Sequence, residues 1–339
     1  RWLSEGAVVD TTVQHDQKVA VVGAGPAGLS CANDLAKKGY SVTVFDAMPH
    51  PGGLLMYGIP NFKLPRNVIY PQIDRLKMMG VEFVNNTRIG EQKTVDDLFT
   101  DGYKAVFIGI GTWVDSLMQI PGEDLPGVYR GSHFLILANS DPEHVPDSME
   151  KDFRIGKNVV VVGGGDTASD CLRTAVRLDT EKVTCIYRRT EAEMPGSKKD
   201  RQLAREEGAE YQFLTQPIRF IAGEDGKLAA IECVKNKLGD PDEKGRRRPV
   251  PIEGSNFIME ADMAVLAIGY GADTRLAKTT TGLETKKWGE IIADPLTGTT
   301  SRPGVFAGGD AVTGPDLVVT AMAAGKRAAV AIDEYLQDK

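Results

Sequence analysis

The sequence predicts an α/β protein built from two doubly wound, parallel sheets. A short aliphatic strand followed by a glycine-rich turn and a helix starts at Lys18, and the same pattern returns at Asn158. The chain has 339 residues, which is about twice the usual length of a single domain. We therefore expect two domains, each with its own sheet.

Composition excludes several other classes of protein. Apolar residues make up 42% of the chain and charged residues 26%, which is typical of folded domains with substantial cores. The net charge of −7 argues against a nucleic-acid partner, because phosphate binding usually needs a basic stripe. The longest apolar run, residues 263–268, is far shorter than the ~18 residues that would indicate a membrane span. We therefore expect no membrane association either.

Cysteine and histidine usage indicates neither disulfide bonds nor a metal site. No two cysteines have C-x-x-C spacing, and scattered thiols favour a reducing compartment. Because no sorting signal is visible, the cytoplasm is the default expectation. The histidines lack metal-ligand spacing and are expected at the surface or in packing. The cysteines are Cys31, Cys171, Cys185 and Cys233, and the histidines are His15, His50, His133 and His144.

The first strand, turn and helix have the pattern of a nucleotide-binding loop. Strand Lys18–Val22 leads into a loop over residues 23–28, and a helical stretch follows. Gly23 permits the tight turn, Gly25 lets the backbone approach a pyrophosphate, and Gly28 allows close helix–strand packing. The loop therefore predicts a dinucleotide at the helix N-terminus.

The second unit repeats this design with one substitution. Strand Asn158–Val162 runs into a loop that begins at Gly163, and a helix follows to about Leu178. Ala168 stands where the third glycine would be, which is an accepted variant of the motif. The recurrence predicts a second dinucleotide site.

The two units differ at the residues that follow their second strands. Strand Ser41–Phe45 is followed by Asp46, whose carboxylate can accept hydrogen bonds from free ribose hydroxyls. Strand Lys182–Tyr187 is followed by Arg188 and Arg189, whose guanidinium groups can hold a ribose 2′-phosphate. FAD in the first site and NADP(H) in the second are the natural pair, because a flavin accepts a hydride and releases single electrons.

Residues 211–260 have the pattern of a β-rich excursion, with hairpin turns near residues 223–226 and 239–245. The arginine run at 246–248 is expected to be a solvated loop. Lys198 and Lys199 follow Arg188 and Arg189 along the chain, and they either extend the basic pocket of those arginines or lie on a solvated surface.

The C-terminal segment predicts how the domains are arranged along the chain. A strand at 304–307 leads to Gly309 and Asp310, and an alanine-rich helix follows from about residue 317. Asp310 either bonds flavin hydroxyls or only caps the helix. This segment can complete the first domain, with the second inserted within it. We predict a linker from a possible upstream domain over residues 1–17, an FAD-binding domain over 18–125 and 280–339, and an NADPH-binding domain over 126–279.

Longer stretches of the chain are specific to one group of redox modules. They are VAVVGAGPAGLSCA (19–32), GGLLMYGIPNFKLP (52–65), VVVVGGGDTASDC (159–171), YRRTEAEMPGS (187–197), KGRRR (244–248) and GVFAGGDAVTGPDLVVTAMAAGKRAA (304–329). On these stretches the chain resembles the small (β) subunit of NADPH-dependent glutamate synthase and its relatives, which include the flavin-binding part of dihydropyrimidine dehydrogenase. The glycine loops occur in many flavoproteins, whereas GGLLMYGIPNFKLP and the RR…MPGS stretch are much more specific.

The resemblance implies two Rossmann-like dinucleotide-binding domains in which NADPH gives a hydride to FAD. Electrons would then leave singly, through iron–sulfur clusters, to a larger partner that makes glutamate from glutamine and 2-oxoglutarate. Lys63 would carry a charge suited to the FAD pyrophosphate. The positions that match FAD contacts are Gly23, Gly25, Ala27, Gly28, Asp46, Gly53, Leu54, Lys63, Gly309 and Asp310. With Gly163 from the loop pattern, the predicted NADPH-binding residues are Gly163, Gly165, Asp166, Thr167, Ala168, Arg188 and Arg189.

The chain departs from the family at its N-terminus, where relatives carry a cysteine-rich domain that holds the clusters. The first cysteine here is Cys31, on the helix behind the first loop, where a small buried side chain is expected. A [4Fe–4S] cluster needs four thiolates, so clusters are expected only on a missing upstream domain or on a partner. That partner would be similar to the glutamate synthase large subunit, or a ferredoxin-type protein.

Three other functions are weighed against this one. A disulfide reductase shares the two-loop architecture but needs a redox-active cysteine pair, and the segment 52–58 contains none. A flavin-holding scaffold without NADPH turnover conflicts with the intact second loop. The same module could also feed a ferredoxin-dependent oxidoreductase or a formate dehydrogenase. No catalytic side chain is predicted, because hydride transfer depends mostly on positioning.

Overall fold

A computed structural model describes residues 15–149, 153–243, 245 and 247–338. Most of the predicted linker over residues 1–17 lies outside the described residues, as does Arg246 of the predicted solvated loop. Arg247 and Arg248 are exposed as predicted, but they begin a β-strand and do not lie in a loop. In the part of the chain that is described, no helix is both long and apolar enough to cross a membrane.

The four strands predicted around the two glycine loops occur with the predicted bounds, and the β-rich excursion also forms. In chain order the strands are β1 (Lys18–Val22), β2 (Ser41–Phe45), β3 (Glu82–Val84), β4 (Tyr103–Ile108), β5 (Val114–Asp115), β6 (Val128–Arg130), β7 (Asn158–Val162), β8 (Lys182–Tyr187), β9 (Glu210–Phe213), β10 (Thr215–Ala222), β11 (Leu228–Pro241), β12 (Arg247–Pro251), β13 (Phe257–Glu260), β14 (Met263–Leu266), β15 (Tyr270–Gly271) and β16 (Val305–Ala307).

The helices that follow the two glycine loops also form, and the C-terminal helix is the longest. In chain order the α-helices are α1 (Pro26–Lys37), α2 (Leu54–Tyr57), α3 (Arg66–Met78), α4 (Val95–Thr100), α5 (Gly131–Asn139), α6 (Asp166–Arg177), α7 (Lys198–Glu206), α8 (Arg275–Lys278), α9 (Asp310–Thr313) and α10 (Val318–Gln337). Short 3₁₀ turns occur at Pro142–His144 and Glu191–Glu193.

The described residues form two compact units, and unit 2 is inserted in unit 1. Of the residues that the structure describes, unit 1 takes those within 15–114, 143–146 and 270–338, and unit 2 takes those within 115–142 and 147–269. The chain therefore leaves unit 1 earlier than the predicted boundary at 125, because Met118, Ile120 and Leu125 pack against a core of unit 2. It returns earlier than the predicted boundary at 279, because Leu276 is buried in a core of unit 1.

Unit 1 is built on a parallel sheet with the strand order β16-β4-β1-β2-β3. Neighbouring residues of β1 enter different cores: Val19 and Val21 pack into one, and Ala20 and Val22 into the other. Both faces of the sheet are therefore covered, which is why its strands are almost continuously apolar. The first core includes α1 and α10, and a Cβ on Gly325 of α10 would lie only 2.0 Å from the Ala27 carbonyl oxygen. These two helices thus cross with their backbones in contact.

Unit 2 is built on a second parallel sheet with the order β6-β14-β7-β8-β9. Residues from α5 and α6 cover one face, packing on Val159 and Val161. An antiparallel sheet covers the other face, where Phe220 and Ile231 pack against Val160. In that antiparallel sheet β11 pairs with β10, β12 and β13. The predicted fold class, two doubly wound α/β domains with one inserted, is confirmed.

Candidate functional site

Two glycines of the first loop are required by the close approach of the backbone. Gly23 has φ +100°, and a Cβ there would lie 2.5 Å from the Gly109 carbonyl oxygen. A Cβ on Gly28 would lie 1.9 Å from the Gly23 carbonyl oxygen, so α1 packs directly on the turn. Gly25 differs, because its Cβ would meet nothing closer than Gly53 Cα, at 4.0 Å. Open space therefore lies in front of the helix at the position where the sequence predicts a pyrophosphate.

The N-terminus of α1 suits an anion. The helix begins at Pro26 after an extended Gly25, and among the described residues no side chain caps it. Its first N–H groups therefore need an acceptor from outside the helix. The partial positive charge of the helix end favours a negative one, such as a phosphate.

Asp46 occupies the predicted ribose position and also closes the loop. Its carboxylate accepts hydrogen bonds from the backbone N–H of Ala24 at 2.5 Å and of Met48 at 2.7 Å. Burial raises the pKa of this carboxyl, while the two backbone donors and the charge of Arg88 act in the opposite direction. A carboxylate has about four acceptor sites, so capacity remains for ribose hydroxyls. The sequence predicted only the ligand role of this residue.

The GGLLMYG segment lies on the first loop. Gly52 donates its N–H to the Ala24 carbonyl at 2.9 Å. Gly53 has φ +54°, and its Cβ would lie 2.6 Å from Gly25 Cα. Leu54 follows as the first residue of α2 and is partly exposed. Lys63 is half-buried and lies in the turn after α2.

The C-terminal glycine turn reaches the same helix end. Gly309 has φ +70°, and a Cβ there would lie 3.0 Å from the Ala27 Cβ. Asp310 is half-buried at the start of α9, where burial raises the pKa of its carboxyl to about 6. The structure therefore brings Gly25, Gly53 and Gly309 together around the first turn of α1. These positions come from three separate parts of the sequence.

The second loop has the same geometry in unit 2. Gly163 has φ +150°, and its Cβ would lie 2.2 Å from the Ala267 carbonyl oxygen. Gly165 is extended, and a Cβ there would meet no atom of the described residues within 4 Å. Ala168 is buried in the core beneath the loop, and Thr167 lies against Gly131 at the start of α5. Open space again lies in front of a helix N-terminus, that of α6.

The MPGS segment packs on this second loop, which sequence reasoning did not foresee. Asp166 accepts a hydrogen bond from the Ser197 N–H at 2.7 Å, and the Gly196 N–H donates to the Gly164 carbonyl at 3.1 Å. A Cβ on Gly196 would lie 2.8 Å from the carbonyl carbon of Gly165. Asp166 thus anchors the segment to the loop. The MPGS motif itself was visible in the sequence. That it packs on the second glycine loop could not be predicted from the sequence.

The two arginines that follow β8 lie in different environments. Arg188 is exposed, whereas Arg189 is 6% exposed. The buried Nε of Arg189 has no hydrogen-bond partner among the described residues. A buried guanidinium donor without an acceptor is unusual and suits an anionic ligand. Lys198 and Lys199 are exposed at the start of α7.

The cysteines offer no redox pair. All four are free and buried, and burial raises the pKa of each thiol. Cys171 lies in α6 and Cys185 in β8. Buried, protonated thiols are poor nucleophiles, which weighs against the disulfide reductase considered above. Within the described residues, no group of three His, Cys, Asp or Glu side chains is placed to hold a metal ion.

Comparison with known proteins agrees with this geometry. The profile of the pyridine nucleotide-disulphide oxidoreductase family matches residues 17–325. The glutamate synthase [NADPH] small chain of Escherichia coli strain K12 is 43% identical over 96% of this chain and 70% of its own length. The resemblance that the sequence motifs predicted is therefore confirmed.

Other relatives are longer. The NADP(+)-dependent formate dehydrogenase subunit beta of Moorella thermoacetica is 46% identical over 98% of this chain and 46% of its own length. The Escherichia coli protein AegA is 46% identical over 95% of this chain and 49% of its own length. This chain thus spans about half the length of these two relatives. Among solved structures, Mycobacterium tuberculosis FprA in complex with NADPH has the same fold, with a TM-score of 0.76 at 20% identity over 96% of this chain and 85% of that one.

Proposed function

We propose a function from the premise that this chain belongs to the pyridine nucleotide-disulphide oxidoreductase family, in the same group as the small chain of NADPH glutamate synthase. The chain oxidises NADPH and passes the electrons, through bound FAD, to a larger redox partner. When bound, FAD supplies the chemistry of accepting a hydride and releasing electrons one at a time.

The observation that carries this proposal is the difference between the two strand ends. In unit 1 the residue after β2 is Asp46, an acceptor suited to free ribose hydroxyls. In unit 2 the buried Arg189 has an Nε without a partner among the described residues, which suits a 2′-phosphate. FAD therefore fits unit 1, and NADPH rather than NADH fits unit 2.

The chain's own residues bind and orient the two dinucleotides. In unit 1 the open space at Gly25 admits a pyrophosphate to the N-terminus of α1, and the close approach of Gly53 and Gly309 forms the surrounding wall. In unit 2 the space at Gly165 does the same at the N-terminus of α6. The remaining predicted contacts, including Leu54, Lys63, Asp310, Asp166 and Thr167, are part of this proposal.

The test is reduction of bound flavin by NADPH. The purified chain, reconstituted with FAD, should bleach at the flavin absorbance maximum when NADPH is added without oxygen. It should then reduce ferricyanide or a tetrazolium dye catalytically. A folded protein that takes up no FAD would refute the proposal for unit 1. A protein that holds FAD but is not bleached by NADPH would instead be the flavin-holding scaffold.

For the partner we propose the large chain of glutamate synthase. The small chain of that enzyme is 43% identical to this chain, and the match covers 70% of the length of that small chain. The second candidate is the catalytic subunit of a formate dehydrogenase, because the beta subunit of such an enzyme is 46% identical over 98% of this chain. Iron–sulfur clusters that carry the electrons onward would then lie on a partner or on an upstream domain.

Two coupled assays separate these partners. Mixed with a glutamate synthase large chain, glutamine and 2-oxoglutarate, this chain should support NADPH-dependent glutamate formation. Mixed instead with a formate dehydrogenase catalytic subunit, it should support reduction of NADP⁺ by formate only if the second candidate is right. The chain alone should make no glutamate, and glutamate formation without the large chain would contradict the division of labour proposed here.

A further inference from the structure

The backbone of the two arginines after β8 is held by the antiparallel sheet of unit 2. Leu214, between β9 and β10, donates its N–H to the Arg189 carbonyl at 2.9 Å. The Leu214 carbonyl accepts a hydrogen bond from the Asn236 N–H of β11 at 2.8 Å. Leu214 has φ +52°, a left-handed conformation that residues with a Cβ rarely adopt. This conformation turns its N–H to Arg189 and its carbonyl to Asn236.

The Asn236 side chain completes this connection. It is 3% exposed, and its Nδ2 donates to the Arg188 carbonyl at 3.0 Å. A carbonyl oxygen can only accept, so the amide nitrogen is the atom that faces it. The same nitrogen lies 3.5 Å from the Gln216 Oε1. Asn236 is thus bonded to Arg188 directly and to Arg189 through Leu214.

None of these three bonds uses a guanidinium group. The Arg188 carbonyl is fixed by Asn236 of the antiparallel sheet and the Arg189 carbonyl by Leu214, which precedes that sheet. Nε of the buried Arg189 has no hydrogen-bond partner among the described residues. Fixing the peptide units sets the direction in which both side chains leave the backbone. Ligand selectivity from charge-assisted bonds depends strongly on such direction.

We propose that Asn236 is a positioning residue for coenzyme selectivity, which holds the Arg188–Arg189 backbone so that the pair meets the 2′-phosphate of NADPH. This inference rests on the proposed binding of NADPH at these arginines. Asn236 is buried and bonds the arginine backbone, so its effect on the coenzyme is assigned to the arginines and not to a direct contact. Its loss should therefore weaken recognition of the 2′-phosphate while leaving the rest of the dinucleotide site intact.

The direct test is equilibrium binding of two small probes by calorimetry. Adenosine 2′,5′-bisphosphate carries the 2′-phosphate, and ADP lacks it. Asn236→Leu removes the donor with little change of volume, and we expect about fivefold to tenfold weaker binding of the bisphosphate, the equivalent of one hydrogen bond. Binding of ADP should not change. The matched control is Gln216→Leu, which removes the other neighbour of the same amide and should change neither affinity.

A double-mutant cycle separates positioning from a general structural effect. If Asn236 acts through the two arginines, then Asn236→Leu should cause little further loss of bisphosphate affinity in a background that carries both Arg188→Ala and Arg189→Ala. In steady-state kinetics the single variant should raise KM for NADPH while kcat and the FAD content stay constant. Additive losses in the cycle, or equal weakening of both probes, would overturn the proposal.

The same measurements distinguish failure of this inference from failure of the proposed function. If the wild-type chain binds the two probes equally, the NADPH assignment itself is wrong. If the wild type prefers the bisphosphate and the combined Arg188→Ala and Arg189→Ala changes remove that preference while Asn236→Leu does not reduce it, only the role of Asn236 is refuted. Should Asn236→Leu fail to fold, Asn236→Ser is the second variant, because its hydroxyl is too short to reach the Arg188 carbonyl.

Discussion

Gly53 lies directly against Gly25, since a Cβ on Gly53 would come within 2.6 Å of the Gly25 Cα. The reverse is not true, because a Cβ on Gly25 would be 4.0 Å from the Gly53 Cα, an ordinary contact distance. The two glycines are therefore needed for different reasons. Gly53 allows two backbones to meet, and Gly25 leaves space that the protein itself does not fill.

We expect Gly25→Ala to lose FAD without losing the fold. The new methyl group meets no protein atom closer than 4.0 Å, but it occupies the space where a pyrophosphate approaches α1. Flavin absorbance after reconstitution and far-ultraviolet circular dichroism measure the two effects. The matched control is Gly165→Ala in unit 2, which should keep FAD and weaken NADPH. Loss of the helical circular dichroism signal in either variant would show that the added methyl group disturbs the protein itself, and would contradict the inference that the space at these glycines is open.

Arg189→Ala should raise KM for NADPH more than Arg188→Ala does. A charge-assisted hydrogen bond contributes roughly 1.5–3 kcal/mol, and exposure reduces that contribution at Arg188 more than at the buried Arg189. At about 1.4 kcal/mol per factor of ten, Arg189→Ala should cost about 10- to 100-fold in kcat/KM for NADPH. Values for NADH should barely move, since NADH has no 2′-phosphate. Equal losses of kcat/KM with NADPH and NADH would mean that Arg188 and Arg189 do not bind the 2′-phosphate.

Asp310 should make the FAD-free protein less stable as the pH rises. Burial raises its pKa to about 6, above the usual value of about 3.9. Between these two values the folded state binds one more proton than the unfolded state, so the free energy of unfolding falls with rising pH. Asp310→Asn should therefore be more stable than the wild type by about 1–2 kcal/mol at pH 8, after allowing for partial exposure. Near pH 4 the difference should vanish.

Urea unfolding at pH 4, 6 and 8 measures this effect, and Asp294 provides a control of opposite sign. Backbone N–H groups of Thr297 and Leu296 hold the pKa of the Asp294 carboxyl below its usual value. Asp294→Asn should thus lower stability at pH 8 rather than raise it. If both variants respond alike, burial is not what perturbs Asp310.

Asp46→Asn should destabilise the protein even without FAD. The carboxylate accepts from two backbone N–H groups, those of Ala24 and Met48. An asparagine has one acceptor oxygen, so one of the two donors would face an amide N–H₂ group. Removal of the buried charge acts in the opposite direction, and we expect the unsatisfied donor to outweigh it, with a net loss of about 1 kcal/mol in the free energy of unfolding of FAD-free protein. Glu82→Gln on the neighbouring exposed strand is the control, and a variant that lost only flavin affinity would show that the loop does not need this carboxylate.

The parts of the fold that could be predicted depend on local patterns. The strands around both loops were found from short aliphatic runs, and the loops from glycine spacing, because each signal lies within a few residues. Asp46 could be predicted as a ribose ligand but not as the residue that closes the loop. That second role depends on the folded path of Ala24 and Met48 rather than on a sequence motif.

The contacts that could not be predicted join distant parts of the chain. Asn236 reaches the Arg188 carbonyl across 48 residues, and the bond has no periodic or compositional signature. The same holds for His50 and His144, whose rings lie 3.9 Å apart because the segment 143–146 returns to unit 1. The predicted domain boundaries differ from the observed ones for the same reason. Met118 and Leu276 are apolar residues whose sequence positions do not show which of the two units they pack in.

The insertion of unit 2 has a consequence for the order in which the protein is made. Within this stretch of chain the first part of unit 1 is synthesised before unit 2, but the edge strand β16 and the helix α10 emerge only after residue 304. By then the ribosome has already released every residue of unit 2, whose last position is 269. Domains generally fold as units while the chain is synthesised, so unit 2 can be native while α1 still lacks the helix that covers it. Unit 1 thus starts to emerge before unit 2 but completes its fold after it. A chain stalled before residue 304 would expose the apolar face on which α10 packs.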